Sequence, residues 1–261
     1  EESRRQRGGL DERLVEFLNE AQRSIDVANY DFDLANVAEA LAAARRRGVT
    51  VRMVTDSDTL ANRDEAVQRA LAIVQAAGIP IVADGRPAIM HHKFVVVDRE
   101  WVWTGSWNFT TGDTYRLNNN AVRIRSRELA ENFSVEFEKM FVQRKFGPTK
   151  PKDLPHPVIT VDGARLQTCF ASELKCDDLV IDVVRSAKRQ IHFLAFSFTH
   201  DGIAEAMLGR HRAGLEVVGV FEKTGSETRF SEFGRLRQAG VPVYQDGNRY
   251  AMHHKVIIVD G

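Results

Sequence analysis

The sequence predicts an α/β fold built from two homologous units, each a mixed, largely parallel sheet flanked by helices, the two packed with pseudo-twofold symmetry. Three observations carry that expectation: an internal repeat, an alternation of strand-like and helix-like stretches within each copy, and a proline-rich segment between the copies. Residues 24–54 align without a gap on residues 190–220, an offset of 166. Phe32 meets Phe198, Ala38-Glu39-Ala40 meets Ala204-Glu205-Ala206, and Gly48 meets Gly214. Further along, Gly78-Ile79-Pro80-Ile81 matches Gly240-Val241-Pro242-Val243, and Asp84-Gly85 matches Asp246-Gly247. Met90-His91-His92-Lys93 then matches Met252-His253-His254-Lys255 at an offset of 162, so one connection is four residues shorter in the second copy.

Within the first copy the elements follow in order. Residues 24–29 form an apolar strand candidate. Residues 34–47 have helical spacing and stop at Gly48, and residues 49–54 give the next strand. Residues 65–77 read as a helix ended by Gly78, followed by a short strand over 79–82. Residues 93–97 are apolar on both faces, as in a strand covered on both sides. A strand over 121–124 and a helix over 127–141 close the unit. Residues 146–163 hold Pro148, Pro151, Pro155 and Pro157, four of the seven prolines, and read as a stiff linker. The expected organisation is a first unit over 1–145, the linker, and a second unit over 164–261 that is C-terminally incomplete.

Composition bounds the class. Hydrophobic residues make up 43% and charged residues 28%, ordinary for a globular chain. Basic and acidic residues balance at 36 each, without the surplus that phosphate-backbone binding usually brings. No apolar run approaches the roughly 20 residues a membrane-spanning helix needs. The chain starts at Glu1 without Met or a signal-peptide pattern, as expected of a trimmed product. Cys169 and Cys176 are the only cysteines. Two readings stand for them: a local disulfide, which would suit an exported or extracytoplasmic protein, or two unrelated thiols.

The chemistry concentrates in two copies of one pattern, His91-His92-Lys93 with Asp98 and His253-His254-Lys255 with Asp260. Side chains alternate faces along a strand, so His91 shares a face with Lys93 while His92 points away, and the same holds for His253 and Lys255 against His254. A lysine beside a histidine suits an anion: the ammonium offers fixed charge, and imidazole can attack or shuttle a proton near neutral pH. Asp98 and Asp260 sit at the strand ends in a supporting role. Six residues after the first motif comes Gly105-Ser106-Trp107-Asn108. Ser106 and Asn108 share a face if the segment stays extended, and their hydroxyl and amide donors suit phosphate oxygens. Gly105 permits close backbone approach. Asn120 adds a further polar group.

The spacing His-x-Lys-x4-Asp-x6-Gly-Ser-x-Asn, followed by a second His-x-Lys-x4-Asp, resembles the phospholipase D superfamily over nearly the whole chain. The resemblance implies one active site assembled from both motifs, with no cofactor and no metal. It implies a ping-pong mechanism in which one histidine forms a phosphohistidine and the other protonates the leaving oxygen. By motif order His91 is the nucleophile and His253 the acid/base, while Lys93 and Lys255 neutralise the phosphoryl oxygens. The sequence departs from the pattern twice. No second Gly-Ser-x-Asn follows before Gly261, and Asn119 stands where some relatives carry a nucleophile-orienting Glu.

Other readings stand beside these. Each histidine alone could be structural, and the His-His pairs could ligate zinc, although adjacent strand residues face opposite ways. Trp101 and Trp103 read as core, with Trp107 either core or rim. Arg45-Arg46-Arg47 at a helix end reads as a dipole-compensating terminus or a phosphate contact. Asp56 and Glu222, at equivalent positions after equivalent strands, either line the site or cap a surface turn. The leading function is a phospholipase D type lipid phosphodiesterase acting on a phospholipid or membrane surface. A nuclease of the same superfamily acting on DNA or RNA is the alternative, and a non-catalytic binding member is a third reading. With both motifs in one chain, a monomer is expected to suffice.

Overall fold

The computed structural model describes residues 8–261; the first seven residues of the expected first unit lie outside the described part. The chain forms two compact units, one of residues up to 115 with 120–174, the other of 116–119 with 175–261.

In the first unit α1 (Leu10–Asn19) leads into β1 (Ser24–Asn29), α2 (Ala35–Arg46), β2 (Thr50–Thr55), α3 (Ser57–Ala61), α4 (Glu65–Ala76) and β3 (Ile81–Ala83). Then come β4 (Lys93–Val97), β5 (Trp101–Gly105) and α5 (Thr111–Tyr115); after β6 (Leu117–Asn118), which groups with the second unit, follow β7 (Ala121–Arg125) and α6 (Arg127–Phe141). The sheet has the order β3-β2-β1-β4-β5-β7. Its β3–β2–β1 side is parallel, and β4, β5 and β7 are added antiparallel. One face packs on α1, α2 and α4 through Leu14, Phe17, Val37, Leu41, Val67 and Leu71. The other face packs on α6 through Phe94, Val96, Leu129, Phe133 and Phe137. Every residue of β4 is buried, as a strand covered on both faces requires. Ser126 caps α6, its hydroxyl accepting the Leu129 N–H at 3.2 Å.

The proline-rich stretch behaves differently from a bare linker. Phe146, Lys150 and Ile159 are buried in the first unit, and β8 (Val158–Val161) pairs with β9 (Ala164–Gln167) as a hairpin there. Apolar side chains spaced among the prolines give the segment something to bury, so the division falls after residue 174 and not at 145. Cys169 and Cys176 are both disulfide-bonded.

The second unit repeats the first, after α7 (Cys176–Arg185), in β10 (Gln190–Ala195), α8 (Asp201–Arg212), β11 (Glu216–Phe221), α9 (Lys223–Ser226), α10 (Phe233–Gln238), β12 (Val243–Gln245) and β14 (Lys255–Val259), with β13 (Ala251–Met252) added before β14. The sheet order β12-β11-β10-β14 reproduces β3-β2-β1-β4, with the same parallel and antiparallel pairs. Helix ends repeat as well: Gly48 and Gly214 follow α2 and α8 at φ +91° and +89°, left-handed values that favour glycine. In β6 and β13 the second unit holds a short parallel pair, Leu117 opposite Ala251 and Asn118 opposite Met252.

Candidate active site

The register of the first sheet assembles one end of it. Asn29 pairs with Lys93 across β1 and β4, Phe94 with Thr104 across β4 and β5, and Gly105 with Ala121 across β5 and β7. His91, Lys93, Ser106 and Asn120 therefore leave the sheet at the same end. Lys93 is 8% exposed, and its Nζ donates to the His91 carbonyl at 2.9 Å. That bond turns the lysine back along its own strand toward the motif histidine, which is exposed. Ser106 and Asn120 meet: the Ser106 hydroxyl donates to Asn120 Oδ1 at 3.3 Å and accepts the Asn120 N–H at 3.1 Å. Gly105 allows this approach, since a Cβ there would lie 2.2 Å from the Asn120 carbonyl oxygen.

Asn108 is placed differently from the expectation of an extended, shared face. The strand ends at Gly105, and the Asn108 backbone N–H and Nδ2 both donate to Asp113 Oδ1, at 3.2 and 3.3 Å. One amide hydrogen is thereby committed to a carboxylate. Trp107 is buried in the core at 1% exposure, its Nε1 donating to Thr114 Oγ1 at 3.0 Å. Trp103 is buried beside it, and Trp101 is half-buried with the Arg123 guanidinium 4.1 Å from its ring.

The second unit rebuilds the His–Lys geometry. Lys255 Nζ donates to the His253 carbonyl at 2.8 Å, and His253 is buried at 6% exposure. The His253 N–H donates to the Asn118 carbonyl at 3.0 Å, and Nδ1 donates to Asn119 Oδ1 at 2.8 Å. The amide oxygen at position 119 can only accept, so in this contact the hydrogen sits on His253 Nδ1.

The motif aspartates stand at the far ends of β4 and β14. Asp98 carboxylate oxygens accept the N–H groups of Gln22, Arg23 and Ser24 at 3.0, 2.6 and 2.9 Å. Asp260 accepts those of Lys188, Arg189 and Gln190 at 2.9, 2.7 and 3.1 Å. Both residues have left-handed backbones, φ +55° and +57°, which Asp tolerates better than most residues. They pin the start of β1 and β10 to the motif strand and point away from the histidine end.

The rear face of β4 carries a buried charge cluster. His92 Nε2 donates to Glu136 Oε1 at 2.9 Å, and Glu136 also pairs with Lys150. Burial pushes His92 below its ordinary value, against the opposing pull of the Glu136 hydrogen bond. Burial alone would push Glu136 up, but the His92 hydrogen bond and the Lys150 ammonium outweigh it and hold the carboxyl at about 2. A cavity of about 610 Å³ opens here, lined by His91, His92, Lys93, Phe94, Phe133 and Phe170 among others.

The remaining candidates make local hydrogen bonds. Asp56 accepts the Met90 N–H at 2.6 Å and the Asp58 N–H at 2.9 Å, tying the loop before the motif to the end of β2. Glu222 accepts the Thr224 and Gly225 N–H groups as a cap. Arg47 donates to the carbonyls of Leu18, Asn19 and Ala21, closing the end of α1. Among the described residues no group of three or more His, Cys, Asp or Glu converges as a metal site. Two residues escaped sequence reasoning, Tyr30 and Phe196. Tyr30 meets the His91 ring at 5.1 Å and Phe196 the His253 ring at 4.6 Å. Their shared position in the repeat was the signal that could have found them.

The sequence profile described as "Cardiolipin synthase, PLD-like domain" matches residues 14–141 and 180–261, and the chain belongs to the phospholipase D superfamily. The human mitochondrial cardiolipin hydrolase is 34% identical over 172 residues, 61% of this chain and 66% of that protein. A phospholipase D of Rickettsia felis is 34% identical over 116 residues, 44% of this chain and 56% of that protein. The chain thus spans between about half and two thirds of the length of these relatives. The crystal structure of Haemophilus influenzae phosphatidylserine synthase aligns over 97% of this chain and 75% of its own, with a TM-score of 0.66 at 13% identity, a likeness of fold.

Proposed function

We propose that the protein is a phosphodiesterase of the phospholipase D type that hydrolyses phosphatidyl groups through a phosphohistidine. The observation that carries this reading is the duplicated pair: in each unit the motif lysine is turned onto the carbonyl of the motif histidine, at 2.9 Å and 2.8 Å. An ammonium held beside an imidazole suits a phosphoryl group undergoing attack. His91 attacks phosphorus through a ring nitrogen lone pair as the bond to the leaving oxygen breaks. His253 enters the step as the imidazolium, gives its Nε2 proton to that oxygen and is left as the neutral ring whose Nδ1–H is held by Asn119. Water then attacks the phosphohistidine, returns its proton to His253 and frees His91; a primary alcohol in place of water would give an exchanged phosphodiester. Lys93 and Lys255 neutralise the phosphoryl oxygens, with Ser106 and Asn120 as further donors and Asp98 and Asp260 holding the strands. Relatives named for cardiolipin hydrolysis and phospholipase D activity support a lipid substrate, as do the phenylalanines walling the cavity beside β4.

The test compares phosphatidylcholine, cardiolipin and single-stranded DNA side by side, with EDTA present. Release of a lipid headgroup or phosphatidyl product, unaffected by EDTA, is the expected result. Cleavage of DNA alone would replace the lipid reading, and loss of turnover on chelation, restored by a divalent ion, would overturn the mechanism. Mass spectrometry of acid-quenched protein should map the adduct to His91, and an adduct confined to His253 would reverse the two roles.

A further inference from the structure

We infer that Tyr30 and Phe196 are positioning residues that hold the two motif lysines by cation–π contact, an inference resting on the reading of both motifs as phosphoryl-binding. The two aromatics occupy the same place in the repeat, one residue beyond β1 and β10. The same backbone bond delivers each: Tyr30 N–H donates to the His92 carbonyl at 3.0 Å, and Phe196 N–H donates to the His254 carbonyl at 2.8 Å. These bonds carry the β1–β4 and β10–β14 ladders one step past their ends and set each ring beside the motif. Thr55 and Thr59 hydroxyls further fix the Tyr30 carbonyl, at 3.3 and 2.7 Å.

Each ring takes both motif side chains at once. Lys93 Nζ lies 5.4 Å from the Tyr30 ring centroid, and Lys255 Nζ lies 4.4 Å from that of Phe196. The imidazoles of His91 and His253 meet the same rings edge-on, with interplanar angles of 71° and 74°. The face of an aromatic ring is the negative part of its quadrupole and attracts an ammonium within about 6 Å. A ring packed only as core would give its faces to apolar neighbours. These two are half-buried and give theirs to a cation, although the residues around them differ between copies, Asp31 and Asp33 against Ser197 and Thr199. The Tyr30 phenol is pushed above its ordinary value, first by burial and then by Asp56 and Asp31, so its ring stays neutral. A lysine has four flexible methylenes. Clamped between the histidine carbonyl and a ring face, it keeps its ammonium where phosphoryl charge develops.

The experiment combines shape-retaining and ring-removing changes. Tyr30→Leu and Phe196→Leu keep apolar bulk and lose the quadrupole; each should lower kcat about three- to tenfold with KM little changed. Tyr30→Phe should restore most of the rate. Replacing Phe196 with mono-, di- and trifluorinated phenylalanine keeps the shape and weakens the ring face stepwise, so the rate should decline in step with fluorine number even if a leucine variant fails to fold. A flat series, with wild-type rates in the leucine variants, overturns the inference while leaving phosphodiesterase activity intact. A wild-type protein that cleaves no phosphodiester refutes the functional reading instead. The clamp is then judged by 15N–1H correlation of the lysine ammonium groups: the Lys93 and Lys255 signals should be sharp in wild type and broadened in the leucine variants, and unchanged signals overturn it.

Discussion

The motif aspartates show how a residue can belong to a signature without touching chemistry. Asp98 gathers three consecutive backbone N–H groups at the entry to β1, and Asp260 does the same for β10. Removing such an acceptor leaves donors unmade in a tight turn. Asp98→Ala should cost about 2–3 kcal/mol, and Asp98→Asn less, since an amide oxygen still accepts and Asn tolerates a left-handed backbone. Urea unfolding reads the cost, and kcat corrected for folded fraction should stay at the wild-type value; a selective fall in kcat would return Asp98 to the reaction itself. At Asp260 the hydrogen bonds from Gln190 and Lys188 hold the carboxyl below its ordinary value. A depressed carboxylate stabilises the fold above its unfolded value and loses that effect as pH falls, so Asp260→Ala should be less sensitive to acid than wild type. The histidines and lysines were legible in the sequence because their spacing is periodic and their chemistry distinctive. Tyr30 and Phe196 were not, because an aromatic at a strand end reads as core unless the fold brings a cation to its ring. Asn119 was visible as a departure, but the partner it orients, His253, required the β6–β13 pairing.

At the scale of the element, β4 is a two-sided strand whose faces do different work. Lys93 leaves with Val95 and Val97 on one side, and His92 leaves with Phe94 on the other, toward α6. On the proposed mechanism the tandem histidine therefore gives one ring to the chemistry and the neighbouring ring to the packing. His92 is lowered from 6.5 by burial, and Glu136 is lowered from 4.5 to about 2 by His92 and Lys150 against the effect of burial. Both folded values lie below the unfolded ones, so both contributions are complete above the unfolded values and are lost on acidification. The melting temperature should begin to fall below about pH 6.5, as the unfolded chain takes up a proton at His92, and fall more steeply below about pH 4.5 as Glu136 joins. His254, lowered mainly by burial, acts in the same direction in the second unit. His92→Gln keeps a donor for Glu136 and removes the titrating ring; its melting curve should be flatter between pH 6.5 and 4.5. An unchanged slope would mean that His92 is not the group being titrated. Most element boundaries were readable from apolar period and glycine stops, and β4 and α6 match their expected ranges end to end. The proline-rich stretch reads as linker because prolines signal stiffness and say nothing of residues such as Phe146 and Ile159 beside them, which are buried in the first unit.

At the scale of the whole chain, the duplication is the fact that organises the rest. Seven elements recur in the same order, from β1 with β10 to β4 with β14, and with them the lysine-to-carbonyl bond, the strand-pinning aspartate and the aromatic beside the motif. Repetition of a local frame explains how two equivalent motifs arose. The differences between copies explain how they could take different parts. His253 is buried and held by Asn119, whereas His91 is exposed beside the Tyr30 ring. If one turnover draws on both motifs of the same chain, neither copy alone should sustain it. His91→Ala and His253→Ala should each lower the rate by about three orders of magnitude or more, and the double variant should be no worse than the weaker single, because residues that act as one unit fail together. The decisive arrangement mixes the two single variants in equal amounts after unfolding and refolding together. Each chain then retains one intact motif, and a mixture no more active than its components places both functions within one chain. Recovery of a substantial fraction of wild-type activity would show instead that motifs from separate chains cooperate, and light scattering of the active fraction would then report an oligomer where a monomer is expected.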